Sequence, residues 1–265
     1  MTKPEIVMIH GMWGHATFWE NYRGYFEALG YACRTPALRH HDRPAAAPPH
    51  ADLGRLSLMD YADDLELYIR QSCGDQRPVV MGHSMGGLLA QQLGVRKLAA
   101  ALVLITPASP AGINALTFSV LKSFWGIFSR WGFWKRPQRL SFAAARYAIL
   151  NNLPPEMQRP VYDGLGWESG RAAAEIGFWY LDPNHATEVA AHRMTCPVLV
   201  ISGGLDRITP ARVVEKVYRR YRPVAEYKHF DHHGHWIVQE PGWQQVAADI
   251  HRWLEAEREI FGKIE

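Results

Sequence analysis

The sequence contains little cysteine, little excess charge and no long apolar run. Its three cysteines, Cys33, Cys73 and Cys196, lie far apart. This spacing disfavours a disulfide framework and favours free thiols, with Cys33 and Cys196 buried in apolar stretches. The 29 basic and 26 acidic residues leave a net charge of +3, which is too small to indicate a nucleic-acid partner. No apolar run approaches the roughly 20 residues that cross a bilayer, so we expect no stable membrane insertion.

The length of the chain indicates its domain organisation, and the N-terminal sequence indicates its cellular location. At 265 residues the chain is long enough for one sizeable domain with an insertion. Its first residues lack the charged stretch and the apolar segment of a secretory signal. We therefore expect a cytoplasmic protein, unless a signal peptide has been removed.

Short apolar runs alternate with amphipathic, helix-like patterns along much of the chain. The runs that predict strands are Ile6–Ile9, Tyr31–Thr35, Pro78–Met81, Ala101–Ile105, Cys196–Ile201 and Ala225–Phe230. Helical spacing predicts helices over 16–29, 57–72, 210–221 and 241–259. Strands that alternate with helices favour an α/β fold, with a mostly parallel open sheet of about six strands and helices on both faces.

The third strand runs directly into Gly82-His83-Ser84-Met85-Gly86, and a helix-like stretch follows. A Gly-x-Ser-x-Gly sequence between a strand and a helix is typical of a nucleophile elbow, the sharp turn that lifts a serine hydroxyl above a sheet. Glycine has no Cβ, so Gly82 and Gly86 allow that turn to form without a clash. A serine hydroxyl needs a base to activate it, and thirteen histidines are available.

These motifs resemble those of the α/β-hydrolase superfamily, in its serine-nucleophile, esterase- and lipase-like branch. The resemblance extends over essentially the whole chain, and the matching segments are His10-Gly11, Gly82-His83-Ser84-Met85-Gly86, Gly203-x-x-Asp206 and Gly234-His235. Their order, serine then acid then histidine, is that of the superfamily. The sequence lacks the antiparallel hairpin that usually precedes the His-Gly strand, so we expect a sheet that is shorter at one edge.

The resemblance implies a catalytic triad of Ser84, Asp206 and His235. Asp206 follows a strand through a tight Gly-Gly turn, which suits a carboxylate that must be held rigidly. Asp182 and Asp231 are the alternative acids. The alternative for His235 is that it is an ordinary loop residue in a histidine-rich turn and not the catalytic base. For the oxyanion hole, the resemblance implies the backbone N–H groups of Met12 and Met85.

No metal or other cofactor is expected. The segments His40-His41-Asp42 and His229–His235 are rich in histidine, but they lack the regular ligand spacing of a helical zinc site.

Residues 107–194 separate two parts of the predicted core, 1–106 and 195–265, at the point where the superfamily usually carries a helical cap. This segment is rich in aromatic residues, and it predicts an apolar acyl or aromatic pocket. The predicted substrate-binding residues are Trp13, Phe124, Trp125, Phe128 and Trp236. Alternatively, the aromatic stripe only packs the cap on the core. The neighbouring basic residues favour a solvated face, with an anionic lipid surface or an acidic substrate group as alternatives.

Together these features predict a serine hydrolase that cleaves a small carboxylic ester through an acyl-enzyme intermediate. The alternatives are a thioesterase, a lactonase, a carbon–carbon bond hydrolase or a low-turnover receptor on the same fold, because one fold hosts many chemistries. The oligomeric state, a homodimer included, is left open.

Overall fold

The structure is a computed structural model that describes residues 3–261, with side chains described for residues 3–257. Its strands are β1 (Ile6–Ile9), β2 (Cys33–Arg34), β3 (Val79–His83), β4 (Ala101–Ile105), β5 (Pro137–Gln138), β6 (Glu168–Ser169), β7 (Val198–Gly203) and β8 (Ala225–Phe230). Its α-helices are α1 (Glu20–Ala28), α2 (Leu58–Cys73), α3 (Met85–Val95), α4 (Phe118–Phe128), α5 (Phe142–Ala148), α6 (Pro155–Gly164), α7 (Gly170–Gly177), α8 (Ala211–Arg220) and α9 (Trp243–Phe261).

Six strands form one parallel sheet in the order β2-β1-β3-β4-β7-β8. The central strands β1, β3, β4 and β7 are buried along their whole length, as expected for a parallel sheet that helices cover on both faces. Two apolar clusters pack against it, one on each face. The predicted α/β fold with about six parallel strands is confirmed.

The edge strand β2 is shorter than predicted. The sequence favours a strand over Tyr31–Thr35, but only Cys33 and Arg34 pair with β1. In the register that pairs Ile6 with Cys33, Tyr31 lies opposite Pro4, which precedes β1 and has no N–H group to donate to a ladder. The described residues hold no hairpin ahead of β1, which leaves β2 as this edge of the sheet.

The segment between β4 and β7 contains α4 to α7 and a small antiparallel pair, β5 with β6. Polar contacts tie it to the N-terminus of α2, where Ser57 Oγ donates to Glu175 Oε1 (2.8 Å) and Leu58 N donates to Glu175 Oε2 (2.8 Å). The division into a core and a cap at 107 and 194 stays a prediction.

The three cysteines are free thiols. Cys33 and Cys196 are half-buried, so they are less deeply buried than the apolar runs around them predict. Among the described helices, none is both long and apolar enough to cross a membrane.

Candidate active site

Ser84 lies at the turn between β3 and α3, with φ 55° and ψ −119°. A serine rarely adopts a positive φ, so the surrounding structure must hold it there. Close packing leaves no room for side chains on either flank. A Cβ on Gly82 would lie 2.1 Å from the carbonyl oxygen of Gly86, and one on Gly86 would lie 2.2 Å from that of Ile9. The two glycines of the motif are therefore required by the geometry of this turn.

A chain of hydrogen bonds links Ser84, His235 and Asp206. His235 Nε2 lies 3.0 Å from Ser84 Oγ, and His235 Nδ1 lies 2.8 Å from Asp206 Oδ2. The three side chains come from the loops that follow β3, β7 and β8, so they meet at the carboxyl edge of the sheet. All three residues are buried.

The Asp206 carboxylate is held by three further donors that follow it in the chain. The backbone N–H groups of Ile208 (2.7 Å) and Thr209 (2.8 Å) donate to Oδ1, and Thr209 Oγ1 donates to Oδ2 (2.7 Å). Burial by itself would raise the pKa of Asp206, but the charge and hydrogen bonds of His235 and the Thr209 bonds outweigh it and lower the pKa. The carboxylate is therefore ionised beside the imidazole.

Thr209 was not among the predicted site residues, although the sequence offered a signal. A residue three positions after an aspartate, directly before Pro210, is well placed to donate to that carboxylate in a turn.

His83, the second residue of the motif, orients the backbone of His235. Its Nε2 donates to the carbonyl oxygen of His235 at 2.8 Å. Burial, followed by the nearby His235, lowers the pKa of His83 to about 3. The ring is therefore neutral, with its proton on Nε2. The motif placed His83 beside the serine, but nothing local in the sequence indicated this contact.

A buried carboxylate fixes the same loop from the other side. Glu240 Oε2 accepts hydrogen bonds from Gly234 N (2.8 Å) and from Asn152 Nδ2 (2.8 Å), and it lies 3.2 Å from His233 Nδ1. Asn152 belongs to the segment between β4 and β7, so Glu240 joins that segment to the loop of His235. No sequence motif marked Glu240.

The alternative acids lie elsewhere. Asp231 is 80% exposed at its side chain and pairs with His229 at 3.1 Å. Asp182 accepts hydrogen bonds from the backbone N–H groups of Asn184 and Ala186. Within the described residues, no group of three or more His, Cys, Asp and Glu side chains is arranged to hold a metal ion.

An apolar cavity opens beside Ser84. Four of the five predicted substrate-binding residues line it, and the lining also includes Met12, Met85, Leu116, Val120, Ile149 and Ile176. Those four are Trp13, Phe124, Phe128 and Trp236.

Trp125 does not line the cavity, and here the sequence-based prediction is corrected. Its side chain is on the outside of α4 and is 69% exposed. Consecutive helical residues point about 100° apart, so Trp125 cannot share the inward direction of Phe124.

Both predicted oxyanion donors border the cavity. Met85 is the first residue of α3 and Met12 follows β1, and each lies in the lining with Ser84. The N–H groups of the first helical turn have no partner within their helix and carry a partial positive charge. Their role in binding an oxyanion stays a prediction.

A sequence model of the alpha/beta hydrolase family matches residues 6–249. The chain belongs to the alpha/beta hydrolase family. In this family the order serine, acid, histidine and the strand-turn-helix setting of the serine recur, and both are present in this chain.

Solved structures support the same fold. The chain is similar to a monoacylglycerol lipase from Paleococcus ferrophilus, with 19% identity, a TM-score of 0.68 and 96% of each chain covered. It is also similar to a pyrethroid hydrolase from Sphingobium faniae, with 16% identity, a TM-score of 0.71 and coverage of 97% of this chain and 100% of that one. A thermophilic esterase from Thermogutta terrifontis shares 21% identity, with a TM-score of 0.67 and coverage of 96% and 90%. These likenesses show that the chain has the same fold as these three proteins.

Proposed function

We propose that the protein is a serine hydrolase that cleaves carboxylic esters with an apolar acyl or aromatic group. The observation that carries this proposal is the hydrogen-bonded chain from Ser84 Oγ through His235 to Asp206, with distances of 3.0 and 2.8 Å. Ser84 and His235 line a cavity with mostly apolar walls. Such a cavity favours an apolar group over a charged one next to the reacting carbonyl.

In the proposed reaction, Ser84 Oγ forms a bond to the ester carbonyl carbon and its proton passes to His235 Nε2. The negative charge that develops on the carbonyl oxygen is stabilised by the N–H groups of Met12 and Met85. As the carbon–oxygen bond to the alcohol breaks, His235 returns the proton to the leaving oxygen. A water molecule then repeats these steps on the acyl-enzyme, which releases the acid and restores Ser84.

Asp206 supports both proton transfers. Its carboxylate accepts a hydrogen bond from the Nδ1–H of His235, so that the unprotonated Nε2 faces Ser84. The same carboxylate stabilises the imidazolium that forms when the proton is transferred.

Covalent labelling tests the nucleophile. The folded protein is incubated with a fluorophosphonate probe, and the adduct is mapped by mass spectrometry. We expect an adduct on Ser84, which Ser84→Ala abolishes. Ser109→Ala is the matched control, since Ser109 is also buried and lines the same cavity; this variant should still be labelled on Ser84. An adduct on another residue, or none, would contradict the assignment.

A product-detected screen over esters, thioesters, lactones and amides tests the substrate class. We expect the highest kcat/KM for esters. Labelling of Ser84 without turnover of any substrate would instead favour a receptor, and a preference for another substrate class would replace the ester proposal while keeping the nucleophile.

A further inference from the structure

Helix α4 is apolar on two opposite faces, and only one of them is covered. Its inner residues Val120, Phe124 and Ile127 are buried. On its outer side, Phe118 is 82%, Trp125 is 69% and Leu121 is 42% exposed. A helix that is apolar all round is normally buried on all sides, so the outer face of α4 has no partner among the residues that the structure describes.

The exposed apolar surface continues beyond the helix. Trp131, directly after α4, is 90% exposed, and its ring packs edge-on against Trp134 at 5.1 Å between ring centroids. We call Phe118, Leu121, Trp125 and Trp131, with the cations described next, the α4 surface. Large exposed apolar groups that cluster in this way mark an interaction site.

The stretch of chain that carries these residues has charge of one sign, and two carboxylates from outside it, Glu175 and Asp182, line a groove beside Trp131 and Lys135. No aspartate or glutamate occurs between Asp75 and Glu156, whereas nine lysines and arginines do. Four of the cations on or next to α4 are exposed: Lys122, Arg130, Lys135 and Arg136. Exposed aromatic and leucine side chains with a basic fringe are the features of a helix that lies in the interface of an anionic membrane.

We propose that the α4 surface docks on an anionic lipid bilayer. The apolar side chains would enter the boundary between headgroups and acyl chains, and the cations would contact the anionic headgroups. The helix would lie in the plane of the interface without crossing the bilayer. This docking does not depend on the proposed reaction, since none of these side chains belongs to the site of Ser84.

A second copy of the chain fits this surface less well than a lipid bilayer does. In a symmetric dimer the same patch faces itself, so the four cations of each protomer would approach those of the other, and this stretch of chain supplies no carboxylate to separate them. Like charges placed together across an interface are unfavourable. An anionic bilayer supplies the opposite charge and an apolar layer at once.

Sedimentation with vesicles tests the proposal. The full chain is mixed with vesicles of phosphatidylcholine alone or of phosphatidylcholine and phosphatidylglycerol in equal parts. We expect binding to the mixed vesicles, much weaker binding to phosphatidylcholine, and release by salt. Each cation near an anionic surface contributes about fivefold to the partition coefficient. The triple variant Arg130→Gln/Lys135→Gln/Arg136→Gln should therefore bind on the order of a hundredfold more weakly.

Matched variants distinguish binding through the α4 surface from nonspecific adsorption of the protein to vesicles. Phe118→Gln/Trp125→Gln should also lose most of the binding. Leu67→Gln, which replaces a residue of α2 that is 56% exposed, and Arg212→Gln/Lys216→Gln, which removes exposed cations from α8, should bind like the unmodified protein. Circular dichroism verifies that each variant is folded.

Three results would overturn the proposal. The first is no binding to the mixed vesicles. The second is binding that the control variants weaken as much as the α4 variants do. The third is a dimer, detected by light scattering, that the α4 variants dissociate while vesicle binding is absent; the surface would then be a protein interface.

Discussion

Asp206 determines which ring nitrogen of His235 carries the proton. It accepts hydrogen bonds from His235, from the backbone of Ile208 and Thr209, and from the Thr209 hydroxyl. With every neighbour donating, only an ionised carboxylate satisfies all of them. The imidazole must then carry its proton on Nδ1, and Nε2 is free to accept a proton from Ser84.

Asp206→Asn tests this arrangement. An amide that keeps its oxygen toward the two backbone donors presents its NH2 group to His235, so the imidazole proton moves to Nε2 and the base is lost. We expect a folded protein whose kcat for ester hydrolysis falls about 10⁴-fold. The matched control, Asp231→Asn, alters an exposed carboxylate on the neighbouring loop and should keep most activity. The reverse ranking would assign the acid role to Asp231.

At the scale of the elements, the turn from β3 into α3 is the part of the structure that tolerates least change. Every residue of α3 is buried, and a Cβ on Gly82 would meet the backbone of Gly86. Gly24, in the middle of α1, provides the opposite case. Apart from its chain neighbours and the backbone of its own helix, a Cβ at that position would have no atom within 4 Å.

Replacing each of these two glycines by alanine should therefore change the free energy of unfolding in opposite directions. Gly24→Ala removes the backbone freedom of glycine from a helix and should raise the free energy of unfolding by about 0.5–1 kcal/mol. Gly82→Ala forces a backbone shift beside Ser84 and should lower it by more than that amount. Urea denaturation at neutral pH measures both. Equal effects, or a stabilised Gly82→Ala, would mean that the turn can relax around a side chain.

Elements and site residues differ in how far local sequence predicts them. The strand Ala225–Phe230 was predicted with the bounds that the structure has, because its residues form a clear run between turns. Ser84, Asp206 and His235 follow strands and carry local motifs. His83 contacts His235 across 152 positions, and no local pattern contains such a contact.

The same distinction explains Trp125. Since α4 is apolar at adjacent positions, its sequence does not indicate which side faces the core. The inward direction of Phe124 is set by how the whole segment packs over the sheet.

At the scale of the whole molecule, buried neutral histidines link the stability of the fold to pH. Burial, followed by the neighbouring His41, lowers the pKa of His10 well below its usual value, and burial likewise lowers that of His83 to about 3. His10 Nε2 accepts a hydrogen bond from Leu38 N (3.2 Å), which requires an unprotonated nitrogen. Below pH of about 6.5 the unfolded chain binds protons at these positions while the folded chain does not.

Stability should therefore fall as the pH decreases from about 6.5 toward 3. Each such histidine contributes a slope of about 1.4 kcal/mol per pH unit. His41 has the opposite shift: burial disfavours its charged form, but the Glu168 carboxylate at 3.1 Å outweighs this and raises its pKa. The stabilisation that the protonated His41 contributes is fully present below pH of about 6.5. It stays constant over this range and does not offset the loss of stability that His10 and His83 cause.

Urea denaturation over a pH series measures the slope, and His83→Gln should reduce it by about 1.4 kcal/mol per pH unit. The glutamine amide can still donate to the carbonyl oxygen of His235. An unchanged slope in this variant would show that His83 is not the titrating group.

The last prediction concerns the cavity, which the sheet and the segment over it form together. A wall of Trp13, Phe124 and Phe128 removes the acyl chain of a substrate from water, and each methylene buried is worth about 0.8 kcal/mol, or about fourfold in binding. We expect kcat/KM for p-nitrophenyl esters to rise from acetyl to medium chains and then to fall once the chain no longer fits.

Phe124→Ala should flatten this rise and leave the acetyl ester nearly unaffected. Its neighbour Trp125→Ala, on the exposed face of the same helix, should keep the full rise. Equal loss for all chain lengths in Phe124→Ala, together with a lower melting temperature, would mean that the aromatic stripe only packs the segment on the core. An optimum at acetyl would exclude an apolar acyl pocket.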